Sequence, residues 1–125
     1  MTGKHKKQFG VWMDSTHATV IGREHVNEGD FVVLGHTKNH HSSGHSTEHS
    51  VHNAQKTELH KFFKDVTHYM QNAEEVHIIG PSTIQEQFIH YLKDTAQFKN
   101  THASEGTSNK MSDEKLIEFF SKRFH

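Results

Sequence analysis

Cysteine is absent from this 125-residue chain. Disulfide frameworks, thiolate metal sites and cysteine nucleophiles are thereby excluded, and any metal would rest on imidazole or carboxylate ligands. No apolar run approaches the roughly 18 to 20 residues of a membrane span. The first residues, Met1-Thr2-Gly3-Lys4-His5-Lys6-Lys7, lead into a polar residue and a strand-like run, with no hydrophobic signal segment. A cytoplasmic protein with no membrane partner is the expectation. An excess of one charge sign is also missing, since 14 Lys and Arg stand against 15 Asp and Glu. No global field therefore announces a nucleic acid, and DNA is not expected as a partner.

What the chain has instead is histidine, 15 residues of it. With ordinary values near pH 6.5, a fall from about pH 7.5 to 5.5 would add on the order of ten positive charges. The length suits one domain around one core.

Residues 1 to 8 are polar and basic without apolar period, which predicts a flexible tail in front of a domain over 9–125. Phe9 to Met13 is strand-like, Asp14-Ser15-Thr16 supplies turn chemistry, and the β-branched run Ala18 to Gly22 returns as its hairpin partner. Asn27-Glu28-Gly29-Asp30 marks the next turn, and Phe31 to Gly35 completes an antiparallel meander. Leu59, Phe62, Phe63, Val66, Tyr69 and Met70 recur at three- and four-residue spacing, predicting an amphipathic helix that ends near Asn72. Val76 to Gly80 is short and β-branched, and a strand after a helix suggests a crossover and parallel pairing in the middle of the sheet. Gly80-Pro81 ends it, and Ser82 with Gln85 fits a capping box opening a helix whose buried stripe is Ile84, Phe88, Tyr91 and Leu92. A short edge strand is possible between Phe98 and Glu105. Ser112-Asp113-Glu114 then caps a final helix with Leu116, Ile117, Phe119, Phe120 and Phe124 on its apolar face. The order β-β-β-α-β-α-(β)-α predicts a single-domain α/β fold, a mixed sheet with helices packed against it.

Hydrophobic period vanishes after the third strand, where HTKNHHSSGHSTEHSVHN sets Ser, Thr, Gly and Asn around six histidines. A long loop inside a compact domain is usually functional or disordered. His41, His45 and His49 follow i, i+4, i+8 spacing, with His52 three further, so a helix there would align them as a zinc, nickel or copper site. Ser42-Ser43-Gly44 opposes that helix. RNA binding is a second reading, because neutral imidazoles stack on bases, protonated ones pair with phosphates, and Lys38 and Lys56 bracket the segment. A solvated, buffering loop is the third, and histidine count alone does not separate them. Elsewhere, His17, His60, His68, His77 and His90 are expected at the surface, and Trp12, Phe62, Phe63, Tyr69, Phe119 and Phe120 in the core. Asp14 and His17 span the hairpin turn, where an aspartate usually caps backbone N–H groups and seldom acts as a base.

The segments FGVWMDSTHATVIG, EGD before FVVLG, and VHIIGPSTIQEQFIHYL, taken in this order around the polar loop and the Phe-rich helix, resemble one family. The chain is similar, from about Phe9 to Phe124, to the central domain of eukaryotic and archaeal class I peptide chain release factors and of Pelota. The resemblance extends to small bacterial stand-alone translational machinery proteins. It implies an RNase H-like fold and a working loop after the third strand, here residues 36–56. Release factors carry Gly-Gly-Gln in that loop to direct water onto peptidyl-tRNA. Here the only loop glycine is Gly44, followed by His45, and Gln55 has no glycines before it, which argues against peptide release. Pelota also lacks the triad yet binds stalled or empty ribosomes.

The resemblance therefore implies a non-catalytic protein associated with the ribosome, its RNA or tRNA, acting on stalled or idle ribosomes under stress. The RNA-contacting candidates are Lys4, Lys6, Lys7, Lys38, His40, His41, His45, His49, His52 and Lys56. The alternative is a histidine-rich metal-binding or pH-responsive module sharing the fold, with His41, His45, His49 and His52 as ligands. The first reading requires no cofactor; the alternative would hold zinc, nickel or copper through those histidines.

Overall fold

A computed structural model describes residues 7–25, 28–39, 59–81 and 83–124. Three strands come first: β1 (Gln8–Met13), β2 (His17–His25) and β3 (Glu28–Lys38). Helix α1 covers residues 59 to 68. It is followed by β4 (Glu75–Gly80), α2 (Ile84–Lys93), a 3-10 turn (Ala96–Phe98), β5 (His102–Thr107) and α3 (Asp113–Arg123). The strands form one mixed sheet in the order β3-β2-β1-β4-β5. β1 and β2, and β2 and β3, pair antiparallel, whereas β4 runs parallel to both β1 and β5. The α/β class, the meander, the inner position of Val76 to Gly80 and the edge strand after Phe98 all agree with the sequence pattern.

β1 and β4 are covered on two faces, which is why they read as near-continuous apolar runs. On one face Val11, Met13, Val20, Val76 and Ile78 meet Phe62, Phe63 and Val66 of α1 and Phe88 and Leu92 of α2. On the other, Trp12, Ile21, Phe31 and Ile79 pack against Leu116, Phe120 and Phe124. Each fully buried side chain of this size contributes about 1.5 to 3 kcal/mol. Trp12 keeps its indole N–H satisfied by donating to the Asn109 carbonyl at 3.2 Å. Helix α3 seats closely because residue 10 is glycine, where a Cβ would stand 2.4 Å from the Phe120 ring.

Three local expectations change. β3 does not stop at Gly35: His36, Thr37 and Lys38 continue it, opposite Thr19, Ala18 and His17. Ladder hydrogen bonds need no hydrophobic period, so the polar residues extend the strand, and His36 to Lys38 belong to β3 and not to a loop. Asn39 is itself tied down, its N–H donating to the Thr16 carbonyl and its side-chain amide to the Ser15 carbonyl. Tyr69 and Met70 lie in the turn after α1, and Asn72, with φ of 60°, closes it in the left-handed region that asparagine tolerates.

The capping box also fails on its Gln85 arm. The Gln85 side chain is buried and donates its amide to the carbonyls of Gly80 and Gly106 at 3.0 and 3.2 Å, linking the ends of β4 and β5. The α2 cap is Thr83, which makes no side-chain cap bond; Ser82 lies outside the described residues. Ser112 does cap α3, accepting from the Lys115 N–H. No helix among the described residues is long and apolar enough to cross a membrane.

Candidate functional site

The loop strand β3 ends beside the start of β2, because the register sets Lys38 opposite His17 and His36 opposite Thr19. Side chains at these paired positions share the face covered by α3. His36 exploits this: its Nδ1 lies 3.1 Å from the Thr19 hydroxyl and its Nε2 3.1 Å from an Asp113 carboxylate oxygen. The ring thus bridges β2, β3 and the first turn of α3, the turn that Ser112 caps. Hydroxyl, imidazole and carboxylate stand in relay order. Thr19 is only 8% exposed, so its hydroxyl end of this arrangement is largely covered by the protein. The His36–Asp113 pair is about half exposed, and such pairs are worth under about 1 kcal/mol. The arrangement ties α3 to the sheet near the C-terminal end of β3.

At the neighbouring hairpin turn, Asp14 accepts hydrogen bonds from the N–H groups of Thr16 and His17 at 2.8 and 2.7 Å and from the Thr16 hydroxyl at 3.0 Å. Burial works to raise its pKa, but these bonds and the nearby His17 outweigh it and hold the carboxyl below its ordinary value. His17 Nδ1 is 3.9 Å away and instead lies 2.8 Å from the Thr16 hydroxyl. Asp14 is a turn cap, as aspartate at such a position usually is.

Of the RNA-contacting candidates, only Lys7 and Lys38 fall among the described residues. They sit at opposite ends of the sheet. Lys7 precedes β1, and its carbonyl accepts from the N–H groups of Glu74 and Glu75. Lys38 stands level with His17, near the far end of β1, six residues or about 20 Å along the strand direction. Lys4, Lys6, His40, His41, His45, His49, His52 and Lys56 lie outside the described residues, and so do all four alternative metal ligands. Among the described residues no group of three or more His, Asp or Glu is placed to hold a metal ion.

The expectation for His77 was wrong. It is 6% exposed, on the α3 side of β4, with Nδ1 at 2.8 Å from Ser104 Oγ of β5. Its ring stacks on Phe119 and meets Phe120 edge-on, with centroids 6.2 and 6.3 Å away. Burial and then the Arg123 guanidinium push its pKa down to about 4 against a smaller opposing effect of Glu75, so the ring is neutral at pH 7. Alternation along β4 was legible, but the helices covering its two faces, α1 and α2 on one and α3 on the other, were not. His36 was likewise hidden, since its partner Asp113 is 77 residues away and nothing local signals the contact.

No protein-family model matches the chain, and no curated protein matches it. Solved structures do. The Pelota protein of Thermoplasma acidophilum superposes over 94% of this chain with a TM-score of 0.58 at 17% identity. Archaeoglobus fulgidus Pelota superposes over 95% with a TM-score of 0.60 at 12% identity. The fold is Pelota-like. This chain spans about a third of those proteins, 32% of each. At such identities the likeness establishes the Pelota-like architecture of one domain; it does not extend to membership of the release-factor family.

Proposed function

We propose that this protein is a non-catalytic, translation-factor-like protein that associates with the ribosome or its RNA, acting when ribosomes are stalled or idle under stress. One observation carries the reading: the Pelota-like fold accounts for nearly the whole chain, 94 to 95% of it. The histidine-rich segment follows β3, where the release-factor resemblance locates its working loop, and it lacks Gly-Gly-Gln. RNA contact falls to the basic residues of that segment, namely Lys38, His40, His41, His45, His49, His52 and Lys56, with Lys4, Lys6 and Lys7 of the N-terminal tail. Protonated imidazoles and lysines neutralise phosphates, and neutral imidazoles stack on unpaired bases.

Sucrose-gradient sedimentation of lysates from growing and starved cells tests the association. Co-migration with ribosomal fractions, strongest after starvation, is the expected result; absence from those fractions in both states overturns the proposal. Affinity of the purified protein for ribosomal RNA should rise from about pH 7.5 to 6 and fall as salt increases. An affinity indifferent to pH removes the histidines from that role.

A further inference from the structure

A groove of about 500 Å³ opens between α1 and the C-terminal half of α2. Its floor and inner wall are aromatic and aliphatic: Leu59, Phe63 and Tyr91. The Tyr91 ring is braced from beneath by Phe63 and Phe88, at centroid distances of 5.5 and 6.4 Å, and flanked by the His60 ring at 5.9 Å. Phe63 and Phe88 are fully enclosed in the core, whereas Tyr91 and Leu59 remain partly open to solvent. A planar apolar face is thus held rigidly at the surface.

The rim has a different chemistry. Gln87 offers both a donor and an acceptor, Asp94 offers acceptors, and the exposed imidazoles of His60 and His90 stand on the two helices. Lys64 is one turn beyond His60 on α1, and Lys93 one turn beyond His90 on α2, so positive charge lies outside the rim on both sides. An alkyl chain would strip water from the rim groups and leave them unpaired, which is unfavourable. A metal ion is not favoured, because the described residues bring no three ligands together. A flat ring with polar edges, attached to an anion, satisfies all three zones.

We propose that this groove binds a nucleobase, stacked on Tyr91 and walled by the His60 ring, with its polar edge on Gln87 and Asp94 and its phosphate towards Lys64 or Lys93. The base can come from a free nucleotide or from single-stranded RNA, which present the same ring and phosphate. The inference goes beyond ribosome association, since nucleotide binding by the purified chain is independent of any ribosomal partner.

Amide NMR of the full chain at neutral pH, titrated with millimolar adenosine monophosphate and separately with short oligoadenylate and oligouridylate, tests it. Shifts should cluster at Leu59, Phe63, Gln87, Tyr91 and Thr95. Stronger binding of an oligonucleotide than of the mononucleotide assigns the site to RNA; equal or weaker binding assigns it to free nucleotides. His60→Ala should weaken binding about five-fold or more, the lower range for losing one stacking ring. Gln87→Ala, also at an exposed position, should alter preference between the two oligonucleotides while the spectrum stays dispersed. No shifts in the groove with any ligand, shifts reproduced by ribose 5-phosphate, or unchanged affinity in both folded variants overturns the proposal.

Discussion

Acidification from about pH 7 to about pH 4.5 sets the folded state against a side chain that the fold keeps neutral, His77. Around the ring stand Ser104 of β5, Phe119, Phe120 and Arg123 of α3, and Glu75 of its own strand. The unfolded chain takes up the His77 proton near its ordinary value of 6.5, whereas the folded protein does so only near 4. Between those values the unfolded state holds more protons, so stability falls as pH falls through the window and is unaffected by His77 above it. Each pH unit is worth about 1.4 kcal/mol, and the full window about 3 kcal/mol. Urea unfolding followed by circular dichroism, at several pH values from about 7 to 4.5, measures the total, to which other carboxylates and histidines contribute. Comparison with His77→Asn isolates the one group, because asparagine keeps a hydrogen-bonding side chain towards Ser104 but cannot be charged. The variant is expected to be less stable at neutral pH, and its disadvantage to shrink by about 2 kcal/mol or more on acidification. Parallel stability curves, agreeing to within about 0.5 kcal/mol, would refute the reasoning: the ring would then be accessible to water when folded.

Gly10→Ala sets a methyl group 2.4 Å from the Phe120 ring, and since the ring is enclosed between the sheet and Phe124, α3 must lift. A loss of about 1 to 3 kcal/mol is expected in urea unfolding, and an unchanged midpoint would show that the helix seats loosely. Ser112→Ala removes the side chain that accepts from the Lys115 N–H and should lower stability by about 1 kcal/mol, read as a fall in thermal midpoint. No change there would mean that His36 and the packing of Leu116 hold the first turn without the cap.

The element order was legible in the sequence because period and punctuation survive in single segments. The two-residue alternation, the three- and four-residue stripe from Leu59 to Val66, the turn at Asp14, and the Ser112 cap are all local events, each governed by residues within one or two turns. The Pelota-like architecture was legible for the same reason, through the order of those segments. Boundaries were not. The polar stretch His36 to Lys38 joins β3 only because β2 lies beside it and supplies hydrogen-bond partners. Gln85 abandons the helix cap because the bare Gly80 and the end of β5 bring two carbonyls within its reach.

The chemistry of individual histidines depended still more on distance along the chain. Composition alone established that this protein carries an unusual reserve of titratable imidazole and no thiol, and spacing alone suggested where ligands or phosphates would be met. Only the tertiary structure decided that His77 is enclosed and neutral while His36 reaches across to Asp113. It likewise decided that His60 and His90, thirty residues apart in sequence, flank one aromatic groove. Burial and ion pairing are properties of the space between elements, and the pKa of an imidazole is set by that space and not by its neighbours in sequence.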